Sequence, residues 1–264
     1  MGDAGRAIVG FMSYVEIGGH RIWHEVSGSG DPVVLLHGAF AGASSFGAQT
    51  PYLVQAGRRV HVPERPGHAH SPDLDEPFTY RRMAEHTADY LEAVLDGPAD
   101  LAGWSDGAVV ALLVARDRPD LVRRQVLIGQ YYNSSGRAPE DEIEALLADD
   151  NAVGFLRTEY DAVSPDGPAH FSVVRAKTLR MIATEPEIDL ASLSRVAAPT
   201  LVLQGDRDLV TLRHSEAVAA SMPHARLAVL PGTHLLPVEA PDLVNPLLAA
   251  FLDPHREFAR PPGH

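Results

Sequence analysis

Leu101-Ala102-Gly103-Trp104-Ser105-Asp106-Gly107-Ala108 runs directly into the apolar stretch Val109 to Ala115. The pattern reads as strand, sharp turn and helix with a serine at the apex. Its G-x-S-x-G core matches a nucleophile elbow. A turn this tight forces unusual dihedrals on its serine and brings strand and helix so close that flanking side chains would collide. Glycines at 103 and 107 therefore leave Ser105 exposed. Both residue types are common, so the motif gains its meaning from its surroundings.

Those surroundings supply three more strand exits. Val33-Val34-Leu35-Leu36 ends in His37-Gly38-Ala39-Phe40. Four apolar residues closed by a turn signal predict a buried parallel strand, and a His-Gly loop at its end can aim backbone N–H groups into a cleft. Thr200 to Asp208 predicts another buried strand, which delivers the carboxylates Asp206 and Asp208 at its end. Arg226 to Leu230 predicts a third, leading into Pro231-Gly232-Thr233-His234. Serine, acid and histidine thus follow in order, each at the exit of its own strand, the edge where open α/β sheets bind ligands.

With its Gly-Trp-Ser-Asp-Gly elbow and closing Gly-Thr-His followed by Pro237, Glu239 and Pro241, the chain resembles the α/β-hydrolase family from about Tyr14 to Leu252. The likeness is greatest to small capped esterases and lactonases, including the valacyclovir-hydrolase-like group. This resemblance implies Ser105 as nucleophile, His234 as base, Asp208 as acid, and the backbone N–H groups of Ala39 and Asp106 as oxyanion donors. It also implies an acyl-enzyme route on a small ester, thioester or lactone, with no cofactor. Asp206 is the rival acid. The sixth strand ends in Gly129-Gln130, which leaves no carboxylate at the alternative acid position of some relatives. Ala108 replaces a third glycine frequent in the family, and Leu212 a proline that often follows the acid. Acyl transfer, cyclisation or C–C bond hydrolysis could use the same triad, and a non-catalytic ligand sensor could keep the pocket, since fold alone does not separate these.

At 264 residues the chain suits one α/β domain with an insertion. The absence of cysteine excludes disulfides, thiolate catalysis and Cys-based metal sites. A formal net charge of −13 opposes binding to nucleic acid or anionic membranes. The first nine residues carry charges and no apolar signal core, and no run approaches spanning length, so a cytoplasmic protein is expected, and the resemblance implies a small-molecule acyl substrate.

Strands alternating with helices predict a mostly parallel, eight-stranded sheet flanked by helices. Tyr14 to Ile17 and Arg21 to Ser27 read as a hairpin through Gly18-Gly19, Arg59 to Pro63 as a strand, and Tyr80 to Leu95 as a helix capped by Thr79. The alternation stops between Tyr131 and Val196, where Glu140 to Leu147 and Phe171 to Ile182 carry helical patterns. We therefore expect a helical cap at 131–196, inserted after the sixth strand into a core of 1–130 and 197–264. Such a cap excludes water and shapes specificity.

Around the triad, Phe40, Trp104, Tyr131 and Tyr132 are the pocket candidates, the tyrosines because they offer an apolar face and a hydroxyl, while Trp104 reads more as packing beside the elbow than as contacting substrate. The Asp106 carboxylate has two readings: a dipole-stabilised residue in the first helical turn, or a cleft-facing group that attracts a cationic substrate. His68 and His70 with Asp73 could suggest a metal, but Pro66-Gly67-His68 with Ser71 fits the loop after the fourth strand of the family. No metal site is expected.

Overall fold

The computed structural model describes residues 10–136 and 150–256. Its frame is an eight-stranded sheet in the order β1-β2-β4-β3-β5-β6-β7-β8. Gly10–Ile17 (β1) and His20–Gly28 (β2) pair antiparallel through a turn at Gly18 and Gly19, whose φ values of 59° and 82° suit the primed turn of a two-residue hairpin. β2 also runs antiparallel to Arg59–Pro63 (β4). From β4 onward every pairing is parallel, through Pro32–Leu36 (β3), Ala99–Trp104 (β5), Val122–Ile128 (β6), Thr200–Arg207 (β7) and Ala225–Thr233 (β8).

Central strands of such a sheet are covered on both faces and so read as unbroken apolar runs. Val33 to Leu36 and Ala99 to Trp104 are buried throughout. Gln49–Gln55 (α1) packs on Pro241–Leu252 (α8), and Tyr80–Val94 (α2) on Asp106–Asp117 (α3). The Thr79 hydroxyl accepts a hydrogen bond from Arg82 N–H, so the cap expected for α2 is formed. After β3 the chain turns outward to β4 and then returns to β5 on the other side. The exits of β3 and β5 therefore flank a topological switch point.

Between β6 and β7 lie Asp150–Val163 (α4) and Phe171–Thr184 (α5). The second matches the expected helix, extended by two residues. The first was not anticipated, because Gly154 inside it lowers helical propensity and breaks the apparent pattern. The helix expected at Glu140 to Leu147 lies outside the described residues. Leu212–Ala220 (α6) follows β7, and the short Leu236–Glu239 (α7) precedes α8. Among the described residues no helix is long and apolar enough to cross a membrane.

Candidate active site

Register decides where the reactive groups emerge. Leu36 pairs with Gly103, Trp104 with Ile128, and Ile128 with Leu203, so β3, β5 and β6 end in line beside the middle of β7, which runs on to Arg207. The ladder continues one step further, with Ser105 N–H donating to the Ile128 carbonyl and Gly129 N–H to that of Leu203. Ser105 is held there at φ 55° and ψ −119°, a region non-glycine residues rarely occupy. Its flanking glycines have steric causes. A Cβ on Gly103 would lie 2.2 Å from the Gly107 carbonyl oxygen, and one on Gly107 would lie 2.0 Å from that of Leu36.

His234 Nε2 lies 2.8 Å from Ser105 Oγ, and His234 Nδ1 lies 2.7 Å from Asp208 Oδ1. The carboxylate can only accept, so Nδ1–H donates to it and leaves Nε2 free to accept the serine proton. Asp208 Oδ1 also accepts from Val210 N–H. Burial alone would push the His234 pKa down. The charge and hydrogen bond of Asp208, together with the charge of Asp106, outweigh it and hold the pKa above its ordinary value. Gly129 makes room for the pair, since a Cβ there would sit 2.9 Å from His234 Cε1 and 3.2 Å from Asp208 Oδ2. The rival acid, Asp206, is exposed and accepts from Gly232 N–H in β8.

Two further groups brace the histidine loop. Trp104 Nε1–H donates to the His234 carbonyl at 2.7 Å. Glu239 accepts from both the backbone N–H and the hydroxyl of Thr233. Glu239 was visible in the sequence as part of a signature, but its role emerges only from this contact.

The β3 exit is equally constrained. Gly38 abuts Ser105, where a Cβ would fall 3.3 Å from the serine Cβ, and Phe40 adopts a positive φ of 60°. The Gly38 carbonyl accepts from His37 Nδ1–H at 2.8 Å and from Arg65 Nη2–H at 3.1 Å. In a trans peptide the following N–H points the opposite way, so the Ala39 N–H is directed away from this buried pair. Asp106 N–H opens α3 on the other side of Ser105, at the end of a helix where the macrodipole favours negative charge.

The Asp106 carboxylate is only 1% exposed and accepts from Tyr80 Oη–H at 2.6 Å. Tyr80 Oη is also 2.6 Å from Tyr131 Oη. This burial supports an architectural role over a cleft-facing one. Tyr80 was not anticipated, since its place as first residue of α2 carries no signal that it reaches the elbow. Among the pocket candidates, Tyr131 joins this network and Phe40 lies against Phe171 of α5, with ring centroids 5.8 Å apart. Trp104 and Tyr132 make structural contacts. The indole is committed to His234, and the Tyr132 ring stacks on His214 at 3.8 Å while its N–H donates to His214 Nε2.

The three residues weighed as metal ligands diverge. His68 is buried, with Nδ1 3.0 Å from the Pro66 carbonyl. His70 stacks on Trp23 and pairs with Glu64, a hydrogen bond that raises its pKa. Asp73 binds Lys177 and His170, tying α5 and the turn before it to the loop after β4. Among the described residues no group of three or more histidine or acidic side chains is placed to hold a metal ion.

A family model described as "Alpha/beta hydrolase family" matches residues 33–247. The chain belongs to the alpha/beta hydrolase family. It is 27% identical to a pyrrolizixenacetamide deacetylase from Xenorhabdus hominickii over 261 residues, covering 91% of this chain and 98% of that protein. It is also 27% identical to the human serine hydrolase BPHL over 250 residues, covering 90% and 85% respectively. Among solved structures, a hydrolase from Pseudomonas aeruginosa PA01 superposes with a TM-score of 0.68 at 25% identity, covering 95% of this chain and all of that one. This alpha/beta hydrolase thus brings Ser105, Asp208 and His234 within hydrogen-bond reach of one another at the sheet edge.

Proposed function

We propose that this alpha/beta hydrolase cleaves a small carboxylic ester, thioester or lactone through an acyl-enzyme on Ser105. The observation that carries the reading is the continuous hydrogen-bond path from Asp208 through His234 to Ser105 Oγ, at 2.7 and 2.8 Å. A serine hydroxyl is a poor nucleophile at neutral pH. His234 takes its proton as the oxygen attacks the carbonyl, and Asp208 stabilises the imidazolium that forms. The Ala39 and Asp106 N–H groups serve as donors to the developing oxyanion. His234 then protonates the leaving group, and a water activated by the same base releases the acid.

The insertion at 131–196 acts in this reading as a cap. Supporting it are the helices α4 and α5, the Phe40–Phe171 contact and the tie through Asp73. The deacetylase relative extends the bond class to be tested to N-acetyl compounds.

Stopped-flow hydrolysis of p-nitrophenyl esters of increasing acyl length, run beside lactones, thioesters and N-acetyl anilides, tests the proposal. A burst of one p-nitrophenolate per active site followed by slower turnover supports an acyl-enzyme. Saturable ligand binding without turnover on any of these would favour a sensor, and turnover only with a second acceptor would favour acyl transfer.

A further inference from the structure

Arg65 lies two residues beyond β4, in the loop that contacts the β3 exit at His37 and Gly38. It is 4% exposed, and Nη2 donates to the Gly38 carbonyl. Its Nε and Nη1 are buried and make no hydrogen bond to another described protein group. Burying a guanidinium this incompletely satisfied is costly, and an apolar side chain would fill the same space without the penalty. The retained charge therefore calls for a use. Burial lowers its pKa to about 10, with Asp106 and Tyr80 opposing the shift, so it stays cationic at neutral pH.

The contact falls on one particular peptide. The Gly38 carbonyl and the Ala39 N–H belong to the same planar unit and point in opposite directions. A cationic donor on the oxygen therefore both fixes the direction of the N–H and polarises it into a stronger donor. His37 completes the grip: its Nε2 accepts from Arg65 N–H at 3.1 Å, which leaves Nδ1–H to donate to Gly38. Burial, together with the neighbouring Arg65 and His68, holds the His37 pKa well below its usual value. His37 therefore stays a neutral donor, and Arg65 alone supplies charge.

We propose that Arg65 is a positioning residue of the oxyanion hole, acting through the Gly38–Ala39 peptide to preorganise and strengthen the Ala39 N–H toward the oxygen that becomes negative when Ser105 attacks. The proposal rests on the reading of Ser105 as the nucleophile. It predicts an effect confined to the transition state, because the ground-state carbonyl carries little charge.

The test compares the intact chain with Arg65→Met and Arg65→Lys. Rates are normalised to active sites titrated to completion with a fluorophosphonate, and a neutral p-nitrophenyl ester is the substrate. Affinity for a trifluoromethyl ketone, which binds serine hydrolases as a tetrahedral oxyanion, is measured in parallel. Arg65→Met should lower kcat on the order of a hundredfold, the scale of losing one oxyanion donor. KM should stay within about threefold, as expected when only transition-state binding is lost. Ketone affinity should fall by the same factor as kcat. Arg65→Lys keeps the charge but loses the planar fork, and should fall between the two in both readouts. Unchanged kcat per titrated site, or a fall in kcat with ketone affinity unmoved, overturns the proposal. Should Arg65→Met not fold, the lysine variant decides by the same pairing of kcat with ketone affinity. Hydrolysis surviving in Ser105→Ala would instead overturn the serine reading, which the Arg65 variants do not test.

Discussion

The indole N–H of Trp104 donates to the backbone carbonyl of His234, 130 residues further along the chain. The residue before Ser105 thus anchors the loop that carries His234. Trp104→Phe keeps a buried, though smaller, aromatic ring and deletes this donor. Losing one hydrogen bond of about 1 kcal/mol should lower kcat roughly five- to tenfold at unchanged KM. Steady-state kinetics on a p-nitrophenyl ester check it, and a change confined to KM would return Trp104 to the pocket wall.

Asp208 and Asp206 differ by two positions and in their partners. Asp208→Asn removes the charge that orients and stabilises His234, and should lower kcat on the order of a thousandfold or more. Asp206→Asn touches only an exposed bond to Gly232 N–H and should stay within about threefold. Circular dichroism on both variants confirms folding. The reverse order of effects would move the acid to Asp206.

Two carboxylates, Asp208 and Asp106, raise the His234 pKa against the effect of burial. His234 is active as a base only when neutral, so activity rises with pH through this pKa and is lost as pH falls below it. The acid limb of kcat/KM should lie above the ordinary histidine value of about 6.5. Asp106→Asn removes one anion that favours the imidazolium, so the limb should move to lower pH. An unmoved or upward-shifted limb would show that the Asp106 charge does not reach His234.

At the opposite end of β5, the fully buried Asp100 accepts from Arg123 at 2.9 and 3.0 Å and from Arg58, which also donates to the Leu252 carbonyl. Removing the shared acid leaves a buried guanidinium unpaired. Asp100→Ala should cost about 3–5 kcal/mol, lowering Tm by roughly 6–20 °C. Thermal unfolding measures the loss, while kcat per titrated site should stay the same, because this network lies at the far end of the strand from Ser105.

The elbow, the strand exits and the order of serine, acid and histidine were legible because each depends on local pattern: an apolar run, a glycine where a Cβ cannot fit, a polar residue at the end. Thr79 was legible as a cap for the same reason. Arg65, Tyr80 and the brace role of Trp104 were not. Their partners are set by the sheet order, which brings the loops after β3, β4, β5 and β8 together. α4 was missed because Gly154 weakens its local signal while tertiary packing decides it. The stacking of Tyr132 on His214 is hidden for a related reason, since its partner lies 82 residues away.

The central claim is that Ser105 is the nucleophile. Intact-protein and peptide mass spectrometry after treatment with a fluorophosphonate tests it most directly. The account predicts a single adduct per chain, on Ser105, with hydrolysis lost in proportion to labelling, and neither adduct nor hydrolysis in Ser105→Ala. An adduct on another serine, or hydrolysis that persists after Ser105 is fully labelled, would contradict it.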